Sequence, residues 1–131
     1  MDNPKDAINV GKSQLISSKM LYEGGQYRDS LTMSYYAMYS FALVLLLKKD
    51  ISPKTHEGTL RQLAKEYVKT RLLSKESYDF LYNGRETRND SSYDYSKIFT
   101  EEDAENLILE AVNYKILDNI NIIIKKPNVK L

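Results

Sequence analysis

Proline placement constrains the fold of this chain more than any other sequence feature. The three prolines are Pro4, Pro53 and Pro127, so they lie near the two ends and in one connection. A proline inside a helix removes one hydrogen bond and clashes with the preceding turn, so long uninterrupted helices form where proline is absent. The sequence therefore has room for long helices between Pro4 and Pro53, and again between Pro53 and Pro127.

Apolar residues recur at helical spacing in five segments, which predicts five helices. The predicted helices cover Asp6 to Glu23, Gln26 to Lys49, His56 to Lys69, Ser74 to an end between Asn89 and Ser92, and Thr100 to a position before Pro127. Gly24 and Gly25 are expected to end the first helix. Thr55 is the expected N-cap of the third, and "TEED" at residues 100–103 resembles a capping box that begins the fifth.

Together these segments predict an all-α fold. We expect an antiparallel up-and-down helical bundle of about five helices in a single domain, residues 1–131, with its core at about residues 6–125. The second helix is expected at the centre, because its apolar residues occupy several faces. The stretch "NINIII" at residues 119–124 resembles a strand but has no partner strand elsewhere in the sequence. We therefore assign it to the fifth helix.

Composition narrows the classes of function. A net charge of +1 gives no overall attraction to nucleic acid or to an anionic membrane, so such binding has to come from a local patch. The chain has no cysteine and a single histidine, His56, and we predict neither a metal nor a cofactor. The longest apolar run, residues 41–47, falls well short of the ~20 residues that span a bilayer. With no signal-peptide pattern at the start, we expect a soluble cytoplasmic protein that does not enter a membrane.

Two arginines continue the apolar face of the predicted fourth helix. Four residues at steps of three, four and three share that face: Tyr78, Leu81, Arg85 and Arg88. A guanidinium on the inner side of a bundle is costly unless an acid pairs with it or the site is hydrated. A buried ion pair is one interpretation, and its candidate acids are Asp29, Glu57 and Asp94. The other is a cleft for phosphate, which suits the planar, bidentate guanidinium. Spacing alone leaves both open.

His56 is a further candidate for the site. It lies in the first turn of the predicted third helix, where the helix dipole disfavours the imidazolium form. Its sequence neighbours offer no obvious nucleophile for it to activate. A structural role and a role in the functional site therefore both stay open.

Three segments, in order along the chain, resemble the HEPN domain family (higher eukaryotes and prokaryotes nucleotide-binding). The stretch "GQYRDSLTMSYYAMYSFALVLLLKKD" resembles the family's central helix, "THEG" the start of its third helix, and "RNDSSYDY" the arginine motif at the end of its fourth. The resemblance covers about Asp6 to Lys125. It implies an antiparallel bundle that commonly forms homodimers, in which two arginine motifs meet at a shared cleft.

The resemblance also implies two related activities. Nuclease members of the family carry an arginine followed, after four to six residues, by a histidine, and they are metal-independent endoribonucleases that often serve as toxins. In a subset a tyrosine follows the histidine. A separate MNT-type nucleotidyltransferase then acts as the antitoxin, in some pairs by adding AMP to that tyrosine.

Matched residue by residue, this sequence departs from the nuclease pattern. Arg88 matches the arginine, Asn89 its polar neighbour and Tyr95 the tyrosine, whereas Tyr93 occupies the place of the histidine. The reference pKa of tyrosine is ~10, so a neutral Tyr93 is a poor general base near neutral pH. The stretch "RNDSSY" resembles more closely a branch of the family with arginine, two residues, then alanine-aspartate-tyrosine.

The sequence thus predicts a HEPN-type module that faces a nucleotide or RNA, forms a homodimer and pairs with an MNT-type nucleotidyltransferase. The residues expected to bind the nucleotide or RNA are Arg85, Arg88, Asn89, Tyr95 and His56. One alternative is a metal-independent endoribonuclease, in which Arg88 acts with Tyr93 or His56. A purely structural helical bundle is the third hypothesis.

Overall fold

The computed structural model describes residues 3–93 and 96–130, with side chains for residues 3–84 and 96–115. Within these ranges the chain is helical and contains no strand. Its helices are α1 (Pro4–Glu23), α2 (Tyr27–Leu47), α3 (His56–Leu63), which continues into a π-helical turn (Ala64–Val68), α4 (Lys75–Tyr93) and α5 (Glu101–Lys130). The predicted all-α helical bundle is confirmed.

A tight glycine turn joins α1 to α2. Gly25 has a φ of +76°, a left-handed conformation that glycine adopts without strain, so the predicted end of the first helix is confirmed. Gly11 of α1 lies against the ring of Phe41, where a Cβ would come within 2.6 Å of Cε1. Nearer the turn, Ser18 of α1 contacts Ser30 of α2. Residues nearer the start of α1 contact residues nearer the end of α2, so the two helices are antiparallel.

Three buried serines lie in the contact between α1 and α2. The hydroxyl of Ser18 donates to the carbonyl oxygen of Ser30 at 2.9 Å and lies within hydrogen-bond distance of the hydroxyls of Ser30 and Ser34. Ser30 in turn donates to the carbonyl oxygen of Ser18 at 2.9 Å. All three are fully buried. We call these residues the serine cluster. They satisfy one another's hydrogen-bonding groups inside an otherwise apolar contact.

α2 is the central helix, as predicted. Most of its residues are buried, including Met38, Phe41 and Leu45 at 0% exposure. By length and composition it could cross a membrane, yet 67% of its most apolar 18-residue window is buried within this bundle. Packing against the other helices therefore accounts for its apolar character.

α3 follows the direction of α2. The hydroxyl of Tyr39 meets Thr59 at 3.0 Å, and further along both helices the hydroxyl of Tyr67 donates to the carbonyl oxygen of Leu45 at 2.5 Å. The segment between α2 and α3 therefore returns the chain along the bundle before α3 begins. Thr55 caps α3 as predicted, because its Oγ1 accepts from the backbone N–H of Gly58 at 2.9 Å.

α4 and α5 run in opposite directions and both pack on α2. The hydroxyl of Tyr114 on α5 donates to the carbonyl oxygen of Ser77 on α4 at 2.6 Å. At the start of α5, Thr100 and Asp103 exchange hydrogen bonds of 2.9 and 3.1 Å between side chain and backbone, which confirms the predicted capping box.

Several helix ends differ from the prediction, and α2, for example, ends at Leu47 instead of Lys49. α4 continues to Tyr93, beyond the end expected between Asn89 and Ser92. α5 passes through Pro127 and ends at Lys130. Proline removes the bond that its own nitrogen would give to the carbonyl of Ile123, but the other backbone donors remain, so the helical path continues despite the cost.

Candidate functional site

At Gly84, α4 packs closely against α2. A Cβ on Gly84 would lie 2.8 Å from Cδ1 of Tyr35 and 3.8 Å from Cε of Met38. Gly84 is buried, and so is Leu81, one turn earlier on the same face. The missing side chain thus provides the space that the ring of Tyr35 occupies, and this face of α4 packs on α2.

Tyr35 also contacts His56 at the start of α3. Its hydroxyl lies 3.3 Å from His56 Nδ1, and the two rings are within 7° of parallel. Tyr39 stacks more closely on the imidazole, with 4.3 Å between ring centroids. Since two tyrosines hold the half-buried imidazole in one orientation, His56 has a clear structural role.

The contacts of Tyr35 bring two sequence segments together. Gly84 precedes Arg88 by four residues on a continuous helix, which corresponds to about 6 Å along the axis. Tyr35 therefore lies between the start of α3 and the part of α4 that is one turn before Arg88. We call residues 85–95, which carry the predicted arginine motif, the arginine segment.

Most of the predicted site residues lie outside the described part of the structure. For Arg85, Arg88, Asn89 and Tyr93 the helical backbone is described but the side chains are not, and Tyr95 is not described at all. Asp94, a candidate ion-pair partner of the arginines, is likewise not described. The assignments of these residues to a binding or catalytic site therefore stay predictions, with His56 as the described member.

A cleft separates α4 from α5 beside Gly84. Its volume is about 640 Å³, within the usual range for small-ligand pockets. The cleft has apolar, aromatic and amide-bearing lining residues, among them Leu31 of α2, Phe80, Asn83 and Gly84 of α4, Phe99 of the connecting segment, and Asn106 and Leu107 of α5. We refer to it as the α4–α5 cleft.

Charged side chains also line the α4–α5 cleft. Its acids are Glu76, Asp79 and Asp103, and its bases are Lys75 and Lys97. Lys75 forms an ion pair with Asp79, with 3.0 Å between Nζ and Oδ2. With three carboxylates against two ammonium groups, the described lining carries a slight negative charge.

The connecting segment before α5 is anchored to the start of α2. Arg28 donates to the backbone carbonyl of Lys97, and its guanidinium lies 5.2 Å from the ring centroid of Phe99. The hydroxyl of Tyr27 donates to the carboxylate of Glu101 at 3.3 Å. These contacts hold one wall of the cleft, while the adjacent Ile98 is 86% exposed.

Glu110 lies on α5 where that helix contacts α4. Its Oε1 is buried and has no hydrogen-bond partner among the residues that the structure describes. Burial raises the pKa of the Glu110 carboxyl, and the negative charge of Glu76 raises it further. Hydrogen bonds from the side chains of Ser77 and Asn113 act in the opposite direction. The α4–α5 contact therefore includes a carboxyl group whose charged form is disfavoured by burial.

Sequence reasoning did not find the α4–α5 cleft. Lys75, Asp79 and Asn83 lie at steps of four residues on α4, a polar stripe that is typical of a solvent-facing surface. What could have distinguished this stripe is Phe80, a large apolar residue set among polar ones. Among the described residues, no three acidic or histidine side chains lie close enough together to hold a metal ion.

The chain belongs to the HEPN domain family, whose match covers residues 5–114. "Putative toxin MJ0142" of Methanocaldococcus jannaschii is 33% identical over 101 residues, which are 77% of this chain and 69% of that protein. "Putative toxin MJ0605" of the same organism is 31% identical over 104 residues, or 79% of this chain and 77% of that protein. "UPF0332 protein PH1297" of Pyrococcus horikoshii is 32% identical over 88 residues, 65% of this chain and 62% of that protein. The family predicted from the three motifs is confirmed.

Proposed function

We propose that this chain is the HEPN half of a toxin–antitoxin-type pair and binds RNA or a nucleotide through its arginine segment. Arg88 is the principal phosphate-binding residue in this proposal, with Arg85, Asn89, Tyr95 and His56 around it. Two relatives at 31 and 33% identity carry the name toxin, which supports this class of function. A nucleotidyltransferase of the MNT type is the proposed partner, and Tyr95 is the residue in the position that such a partner modifies.

The contacts of Tyr35 are the observation that carries the proposal. This one side chain contacts Gly84 of α4 and His56 of α3, so His56 and the helix that carries the arginine segment both pack against α2 at Tyr35. A bundle that needed only a packed core would require no more than apolar contacts around Tyr35. The convergence of a histidine with the helix that carries Arg88 favours a binding surface over a purely structural role.

Binding, rather than efficient cleavage, is the activity that the residues favour. Metal-independent cleavage of RNA needs a base that accepts the proton of the 2′-hydroxyl, and neutral Tyr93 does this poorly. His56 is stacked on Tyr39 and contacts Tyr35 through Nδ1, an arrangement that suits orientation better than proton exchange.

Arg88→Ala tests the proposal, because a cleft arginine and a buried ion pair predict opposite results. Removal of one partner of a buried pair typically costs ~3–5 kcal/mol of unfolding free energy. An arginine in a hydrated cleft should leave the stability within about 1 kcal/mol of the parent. We expect the second result, together with a loss of binding to single-stranded RNA, measured by thermal melts and fluorescence anisotropy.

Arg61→Ala is the matched control, because Arg61 is an exposed arginine on α3. It removes the same charge and should retain RNA binding. A large drop in the melting temperature of Arg88→Ala, with no RNA bound by the parent protein, would contradict the proposal and leave Arg88 as a structural residue. Robust metal-independent cleavage by the parent that Arg88→Ala abolishes would instead establish an endoribonuclease.

A further inference from the structure

The α4–α5 cleft is a second feature beside the arginine segment. Gly84 lines the cleft and also contacts Tyr35, and Arg88 follows it by one helical turn. A ligand group beside Gly84 would therefore lie about 6 Å, measured along α4, from the backbone position of Arg88. This separation is comparable to that between the base and the 5′-phosphate of a nucleotide.

From this geometry we infer that the α4–α5 cleft is a pocket for a single unstacked nucleobase, with adenine preferred. The inference rests on the proposed function for the rest of the RNA, whose phosphate would lie at the arginine segment. It adds a base-reading site on a different pair of helices. Asn83, Asn106, Phe80 and Phe99 are the residues assigned to the base.

The side chains that line the cleft suit a nucleobase. Asn83 and Asn106 bring carboxamides from opposite walls, and a carboxamide can pair with the adenine N6 and N7 atoms through two hydrogen bonds. Phe80 and Phe99 bring aromatic rings from α4 and from the connecting segment, and such rings bind bases by stacking. Buried Leu31 and Leu107 form the apolar inner surface.

Charge favours the base over the phosphate as the occupant. The described lining has three carboxylates and two ammonium groups, and one of the latter is already paired with Asp79 at 3.0 Å. A phosphate would be repelled by the excess of negative charge, whereas a neutral base is not. The two ends of a nucleotide are thereby directed differently, with the base in the cleft and the phosphate towards the arginines.

Adenosine and uridine separate this inference from the proposed function, because neither nucleoside carries a phosphate. We expect saturation-transfer NMR to detect adenosine binding to the full chain and to detect uridine binding at least about fivefold more weakly. Asn106→Leu should abolish the difference, since it removes an amide from an exposed position without disturbing the core. Asn113→Leu, two turns further along α5 and outside the cleft, is the matched control and should keep the preference.

Binding of short RNA oligonucleotides tests the arginine segment and the α4–α5 cleft separately. Short oligonucleotides of sequence UUAUU and UUUUU should both lose affinity in Arg88→Ala, while Asn106→Leu should weaken only the first. Equal or absent binding of adenosine and uridine, or an unchanged preference in Asn106→Leu, overturns the inference and leaves a surface for a protein partner. Adenosine binding without any effect of Arg88→Ala on RNA overturns the proposed function alone.

Discussion

Tyr35 makes two contacts on which the proposed site depends. Its ring fills the space next to Gly84, and its hydroxyl meets Nδ1 of His56. Because the residue is 1% exposed, it has no room to move if either neighbour changes. A substitution at Gly84 should therefore displace Tyr35 and alter its contacts with both α3 and α4.

Gly84→Ala should destabilise the protein by about 1–2 kcal/mol. The new methyl group would lie 2.8 Å from the ring of Tyr35, and crowding of this kind costs ~1–3 kcal/mol. Alanine's better helix propensity returns up to ~1 kcal/mol. Urea denaturation measures the balance.

Gly24→Ala is the control for the chain entropy that a change from glycine to alanine removes. A Cβ on Gly24 would meet its nearest neighbour at 3.5 Å, an ordinary contact, and the residue has a φ of −84°. Its free energy of unfolding should stay within about 0.5 kcal/mol of the parent. Equal stability of the two variants would show that α4 does not press on Tyr35 as described.

Tyr93→His tests the catalytic meaning of the substituted motif. Imidazole titrates near neutral pH, so a histidine at residue 93 can exchange protons where tyrosine does not. We expect the parent to cleave RNA weakly or not at all without metal, and Tyr93→His to gain measurable cleavage in a gel assay. The double variant with Arg88→Ala should lose that gain. Strong cleavage by the parent would refute this interpretation of Tyr93.

At the scale of elements, the contact between α4 and α5 should depend on pH through Glu110. Burial raises the pKa of its carboxyl in the folded state, so the folded protein binds this proton more tightly than the unfolded chain does. The resulting stability is fully present below the ordinary pKa of glutamate, ~4.3, and is lost as the pH rises through the raised value.

Glu110→Gln should therefore stabilise the protein at neutral pH. The amide is neutral and nearly the same shape, so it removes the cost of a charged, buried carboxylate. We expect the melting temperature at pH 7 to rise by roughly 1–4 °C, with a smaller difference from the parent at pH 4. Glu105→Gln changes an exposed glutamate of the same helix and should show no such pattern. A lower melting temperature for Glu110→Gln at pH 7 would contradict the assigned effect of burial.

Helices and caps were predictable from sequence because their causes are local. The end of α1 at Gly24 and Gly25, the Thr55 cap and the capping box at Thr100 each depend on residues within one turn. The α4–α5 cleft was not predictable, since it depends on how far apart two helices lie when both pack on α2. The continuation of α5 through Pro127 was also missed, because proline removes only one backbone hydrogen bond and does not always end a helix.

The predicted site also contains residues with a local sequence signal and contacts that depend on tertiary packing. That His56 and Arg88 belong to one site stays a prediction, and the structure shows Tyr35 between His56 and α4. Sequence spacing treated Tyr35 as an ordinary core residue, because its position on the apolar stripe of α2 is typical of packing. Its hydroxyl contact with His56 is a tertiary feature with no local signal.

At the scale of the whole molecule, we expect a two-fold homodimer. The surface of α2 that contains Tyr36 and Leu43 is only half-buried, and α1 exposes 59% of Ile16 and 66% of Met20. A second copy would cover apolar surface of this kind and bring two arginine segments together. Sedimentation velocity at micromolar concentration should give the mass of a dimer. A monomer under these conditions would contradict the shared cleft that the family resemblance implies.

The serine cluster has a consequence for how the chain finds its register during folding. A purely apolar contact between two helices tolerates a shift by one turn, because apolar side chains again contact apolar side chains after the shift. A slide of α1 along α2 would separate Ser18 from Ser30 and Ser34 and leave their hydroxyls without partners in an apolar setting. Three small polar groups thus select one alignment of the first helical hairpin. The other helices of the bundle pack against this hairpin in that one alignment.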